Sequence, residues 1–156
     1  MNSYENDIEY MDIIGEILSN EQFLKLKNYR HHNDSIYDHV VDVSFLSYKI
    51  SKRLKLDYKS TARGALLHDF FLYDWRKREK VDSFFKKHAF THAKEALGNS
   101  VRNFEINQKE KDIIVKHMFP TTIIPPRYGE SWIVTSVDKY LAIKEYAIKF
   151  FVPVYR

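Results

Sequence analysis

Six side chains of two chemical types are spaced along the chain so that they could share one site. His39 stands in Tyr37-Asp38-His39-Val40-Val41. The adjacent pair His68-Asp69 closes the apolar run Ala65-Leu66-Leu67, and His92, His117 and Asp138 follow. Imidazole and carboxylate on core-facing segments are costly unless something satisfies them, and a divalent metal ion does so. The chain has no cysteine, which excludes disulfides, thiolate ligands and a cysteine nucleophile. Any metal must then be held by nitrogen and oxygen, a donor set suited to iron or manganese and compatible with zinc, nickel or cobalt. A single histidine beside apolar residues is more often a hydrogen-bonded core residue than a ligand. The weight lies in four His and two Asp in this order.

Helical periodicity supplies the elements that must carry them. Ile8, Met11, Ile14, Ile17 and Leu18 predict a helix over about 5–19, and Phe23, Leu24 and Leu26 a short one over 21–28. Residues 30–35 read as a turn. A long helix over 36–54 has two apolar stripes: Val40, Val41, Phe45 and Tyr48 form one, and His39, Val43, Leu46 and Ile50 the other. The next helix, 58–72, ends at the His-Asp pair and carries Ala62 and Ala65, small enough for close helix approach. Thr91 is a candidate cap for a helix through Gly98, and Asn107-Gln108-Lys109-Glu110 reads as a capping box for a helix ending near Met118. Pro120, Pro125 and Pro126 define a loop before a last helix at 130–148. His39 shares a helix face with Val43, His92 with Ala96, His117 with Ile113 and Asp138 with Val134. Ligands from several helices can therefore converge at a bundle centre. The expected class is all-α, a compact bundle of six to seven helices.

The order H…HD…H…H…D resembles the HD superfamily of metal-dependent phosphohydrolases, over about two-thirds of the chain. Smaller matches support it: His31 ahead of Asn33 and Ser35, Tyr37 two residues before His39, and Asp138-Lys139 inside an apolar helix. The resemblance implies a single HD-type domain over 1–156, with N-terminal helices in 1–29, a metal-site core in 30–148 and an apolar tail at 149–156. It makes His39, His68, Asp69 and Asp138 the ligands of a first ion. His92 and His117 match the extra histidines of members with a second ion, in which the Asp of the pair, here Asp69, bridges both. Two features depart from the pattern. Many relatives follow His-Asp with Ile-Gly-Lys, where this chain has Phe70-Phe71-Leu72-Tyr73-Asp74-Trp75. The usual lysine is missing and its role does not transfer to Tyr73, although Arg76 or Lys77 can supply the charge. The Gly-Tyr-Pro signature of cyclic-di-GMP phosphodiesterases is also absent, which argues against that branch.

The implied activity is hydrolysis of a phosphoester or phosphoanhydride by a metal-activated water, with Asp69 as bridging ligand and orienter of the nucleophile. Arg76, Lys77, Lys116 and Arg127 are candidate phosphate contacts, with His31 beside them. No general acid is identifiable; His31, His32 and His88 are the candidates. The expected substrate is a small phosphorylated molecule such as a nucleotide, with Trp75, Tyr73 and Phe71 as either a stacking surface or core. A homodimer is compatible with this reading. The alternatives are a metal-dependent nuclease, a non-catalytic nucleotide-binding or sensor module, and a diiron oxygenase.

Composition sets the outer bounds. A chain of 156 residues suits one domain, and its 44% hydrophobic and 29% charged residues are ordinary for a soluble globular protein. Eleven Tyr, eleven Phe and two Trp predict a bulky core. The net charge of +4 suits anionic substrates without requiring nucleic acid, and no basic stripe with interleaved aromatics is evident. Residues 74–88 alone contribute +3 (Arg76, Lys77, Arg78, Lys80, Lys86 and Lys87 against Asp74, Glu79 and Asp82), the pattern of a solvated loop. The polar N-terminus has no signal-peptide pattern and no apolar run is long enough to span a bilayer, so the expected location is cytoplasmic.

Overall fold

Local capping chemistry decides where the helices begin. Asp7 accepts a hydrogen bond from the backbone N–H of Tyr10 and starts α1 (Ile8–Leu18). Asn20 does the same for α2 (Glu21–Leu24), which tightens into a 3-10 turn at Lys25–Asn28. Ser35 caps α3 (Ile36–Arg53), Asp57 caps α4 (Tyr58–Leu67), and Asn107 with Glu110 forms a complete capping box on α6 (Gln108–Lys116). α5 (Phe84–Asn103) and α7 (Gly129–Phe151) are the two longest helices. This computed structural model describes residues 3–31, 34–72 and 84–151. Among them the non-helical regular structure is a two-residue antiparallel ladder, Arg30–His31 against Asp34–Ser35. The chain is thus an all-α bundle, and none of its described helices is long and apolar enough to cross a membrane.

α3 and α4 pack on each other and both meet α7; α6 closes the bundle against α4, α5 and α7. One apolar cluster joins Tyr10, Ile14, Ile17, Phe23 and Leu26 to Val40, Tyr48, Leu66 and Phe70. A second joins Val43, Ala65, Ile113, Val134 and Val137. Phe70 is fully buried just past the end of α4, edge-on to Phe23 at 5.5 Å, with Phe104 at 6.3 Å. Full burial of such a side chain stabilises the fold by roughly 1.5–3 kcal/mol, which anchors the turn that carries His68 and Asp69. Two polar clasps fix the outer helices. Arg63 donates to Glu110 (2.8 Å) and Glu16 (3.0 Å), linking α4 to α6 and α1. Asp112 accepts from Arg127 N (2.9 Å) and Ser131 Oγ (2.7 Å), pinning the start of α7 to α6.

The approach of α4 to α6 depends on Gly64. A Cβ there would lie 2.7 Å from Ile113 Cδ1 and 3.2 Å from the backbone Cα of Glu110. Ile113 can turn away; the backbone cannot. Gly64→Ala should therefore destabilise the protein by about 1–3 kcal/mol despite alanine's better helix propensity, read as a lower urea midpoint. An unchanged or raised midpoint would refute the close packing.

Several boundaries differ from the sequence reading. Ile8, assigned to the apolar stripe of the first helix, is 77% exposed. α4 stops at Leu67 rather than 72, so Phe70 packs from beyond the helix. Thr91 and Gly98 neither start nor stop a helix; both are interior to α5. α7 runs through to Phe151, so the expected separate tail begins as helix and 152–156 lie outside the described residues.

Candidate metal centre

Three helices and the ends of two more bring the six residues together. His39 projects from the first turn of α3, one turn after the Ser35 cap. His68 is the C-cap of α4, with Asp69 the next residue, and His117 is the C-cap of α6. His92 comes from the middle of α5 and Asp138 from α7. All are buried except Asp138, whose side chain is 15% exposed and is the most open of the six.

Two groups share one residue. His39, His68 and Asp69 form one, Asp69, His92 and His117 the other, each with its donor atoms within 4.8 Å of one another. Asp69 turns a different oxygen to each: Oδ2 lies 3.7 Å from His68 Nε2, while Oδ1 lies 3.5 Å from His92 Nε2 and 3.4 Å from His117 Nε2. Asp138 joins the first group, with Oδ1 3.0 Å from His39 Nε2 and 3.6 Å from His68 Nε2. His92 and His117 meet Nε2 to Nε2 at 2.9 Å.

Tautomers decide what these distances mean. His68 Nδ1 donates to the Ala65 carbonyl at 2.6 Å, and His117 Nδ1 donates to the Ile114 carbonyl at 2.8 Å. A carbonyl only accepts, so each proton sits on Nδ1 and a neutral ring turns its Nε2 lone pair into the site. The His68 lone pair then faces two carboxylate oxygens, and Nε2 is buried without a hydrogen bond among the described residues. That of His117 faces another ring nitrogen and a carboxylate. Acceptors opposed in this way need positive charge between them, from protons or from a cation. Ligands about 2.1 Å from one ion, at square to tetrahedral angles, stand roughly 3.0–3.4 Å apart; the His39–Asp138 and His117–Asp69 separations fall in that range and the others lie just outside it. The residues fit a metal.

Without a cation, His68 is pushed toward its charged form. Burial favours the neutral form of Asp69, but His68, His117 and His92 outweigh it and hold the carboxyl well below its ordinary range. His39 and His68 likewise outweigh burial at Asp138 and hold it well down. Burial disfavours charge on His68, yet Asp69 and Asp138 together push its pKa up. Lys139, beside Asp138, is pushed down by burial, although Asp138 opposes this; its ammonium donates to the His117 carbonyl at 2.9 Å.

No family model, curated protein or solved structure matches the chain.

The expected phosphate contacts fare less well than the expected ligands. Lys116 is held 2.8 Å from Asp112 and lines a cleft to which none of the six residues contributes. Arg127 is exposed, its guanidinium over the Tyr128 ring. Arg76, Lys77, Tyr73, Trp75, His32 and the side chains of His31 and His88 lie outside the described residues. Phe71 is core, 2% exposed and edge-on to His92 at 5.5 Å. The carbonyls of Ala65 and Ile114, which orient two rings, were not legible beforehand. Their signal is a histidine just past the last residue of an apolar helix, three positions after the carbonyl that it takes.

Proposed function

We propose that the chain is an HD-type metal-dependent phosphohydrolase acting on a phosphoester or phosphoanhydride of a small molecule such as a nucleotide. The observation that carries this is Asp69, which presents Oδ2 to one imidazole group and Oδ1 to another. Hydrogen bonding alone does not need four imidazoles and two carboxylates arranged around one shared carboxylate. His39, His68, Asp69 and Asp138 would hold one divalent ion, and Asp69, His92 and His117 a second, with iron or manganese the best suited. Bound there, such ions supply Lewis acidity and an activated water for attack at phosphorus.

The protein's own groups do the rest. The Ala65 and Ile114 carbonyls keep His68 and His117 in the tautomer that leaves Nε2 basic. Asp69 stays ionised at neutral pH because its imidazole neighbours hold its proton affinity down. Phe71 packs on His92 and screens that side from water. Lys139 fixes the chain at His117 through its carbonyl. Lys116 is neutralised by Asp112, so the cation that receives the substrate's outer phosphates is sought among Arg76 and Lys77.

The test is metal content of protein purified without chelator or nickel resin, followed by a phosphoester and nucleotide screen in the metal found. About two equivalents per chain, with hydrolysis lost on chelation and restored by manganese, is the expected result. His92→Ala should retain about one equivalent and lose more activity than the ~10–100-fold typical of removing an outer partner of a ligand. Full metal and activity in that variant would defeat the two-ion reading. No uptake by the unmodified protein on reconstitution would leave a polar core held by protons.

A further inference from the structure

A cleft of about 470 Å³ lies between α5, α6 and the loop before α7, lined by Ala93, Leu97, Val115, Thr122 and Ile124. Its rim carries Lys94, Lys111 and Lys116. The volume falls within the roughly 300–1,000 Å³ usual for small-molecule sites. Among the described residues the floor is aliphatic, with no aromatic ring to stack a base and no amide to read a base edge. Lys116 is matched by Asp112, whereas Lys94 and Lys111 are exposed and form no ion pair with a described residue. One polar group interrupts the floor. Thr122 is 5% exposed, and its hydroxyl is buried with no hydrogen-bond partner among the described residues. That hydroxyl oxygen is itself inaccessible, so Thr122 meets the cleft through its other atoms.

We infer that this cleft binds an amphipathic anion, a free aliphatic carboxylate or phosphate monoester. Its chain lies on Ala93, Leu97, Val115 and Ile124, and its head is held by Lys94 and Lys111. Charge complementarity selects the head; an alkyl chain suits the lining better than a flat ring. Apolar contact supplies most of the affinity and the ammoniums supply the sign. None of the six residues of the candidate metal centre lines the cleft.

Calorimetric titration of the whole protein with decanoate below its micelle concentration tests this. Saturable one-site binding is expected for decanoate and decyl phosphate, with decanol weaker by about tenfold and decyltrimethylammonium weaker still. The Lys94→Glu/Lys111→Glu double variant should weaken decanoate by roughly tenfold while leaving decanol unchanged. Val115→Asp, at a position already 38% exposed, should abolish decanoate binding with its circular dichroism unaltered. Equal affinity for decanol and decanoate would overturn the anion site. Inorganic phosphate binding as tightly as decyl phosphate would overturn the aliphatic half. Association with phosphatidylglycerol vesicles but not with monomeric decanoate would overturn the free ligand in favour of a lipid surface.

Discussion

Asp69→Asn is expected to bind neither ion and to lose at least ~10³-fold in hydrolysis, where His92→Ala loses one ion. The difference follows from position. His92 faces one group, whereas Asp69 gives an oxygen to each. The amide keeps the shape of the carboxylate and removes its charge, leaving His68, His92 and His117 around a neutral group. The variant should also be less stable without metal by about 3–5 kcal/mol, the usual cost of removing one partner of a buried charge pair, since the Asp69 side chain is only 8% exposed. Asp138→Asn separates the two effects. Asp138 approaches only His39 and His68 among the six and is more open, so its loss should empty the first position, retain about one equivalent and destabilise less. Metal analysis and urea unfolding of the three variants check this. An Asp69→Asn protein that retains one equivalent would show that the carboxylate is not shared.

A second large effect is a pH dependence whose sign reverses with metal. In the metal-free protein the folded pKa of His68 is raised above its ordinary 6.5, chiefly by Asp69 and Asp138 acting against burial. The folded state therefore binds its proton more tightly than the unfolded chain does. This stabilisation is complete below the unfolded pKa and is lost as pH rises through the folded one. Asp69 and Asp138 are held well below their ordinary 3.8, so their contribution is complete above that value and vanishes only as pH falls through their low folded pKa values. Between about pH 4 and 6.5 all three contributions coexist, and metal-free protein should melt higher at about pH 5.5 than at about pH 8. Metal competes with that proton for Nε2, so its binding strengthens as pH rises. With saturating manganese the order should invert, and thermal melts at both pH values, with and without the ion, read it directly. The same trend in all four melts would mean that His68 does not exchange a proton for a metal.

Much of this centre was legible because helical periodicity places a ligand by its neighbours. Val43, Ile113 and Val134 are all buried in one cluster, and His39, His117 and Asp138, each four residues from one of them, point inward with it. The Asn107–Glu110 capping box was legible because its chemistry is local. What escaped depends on tertiary context. Gly98 costs a helix about 1 kcal/mol relative to alanine, which invites reading it as a stop, but burial of His92, Ala93, Ala96 and Ser100 along α5 outweighs that. The early end of α4 reflects the His68 ring taking the Ala65 carbonyl, which the next backbone N–H of a continuing helix would otherwise claim. Lys116 looked like a phosphate contact because it neighbours His117; its i,i+4 spacing from Asp112, one turn earlier on the same helix, was the signal that pairs the two.

That His68 and His117 both stand at the C-terminal ends of their helices has a consequence for the order of events. The last turn of a helix carries partial negative charge, equivalent to roughly half an elementary charge at its carbonyl end. Two such ends and two ionised carboxylates converge where the substrate's phosphorus would have to sit. The backbone alone makes the chamber hostile to anions, and a phosphate arriving first would be repelled. On the proposed function, cations load before substrate, and protein stripped of metal should not bind a phosphorylated substrate.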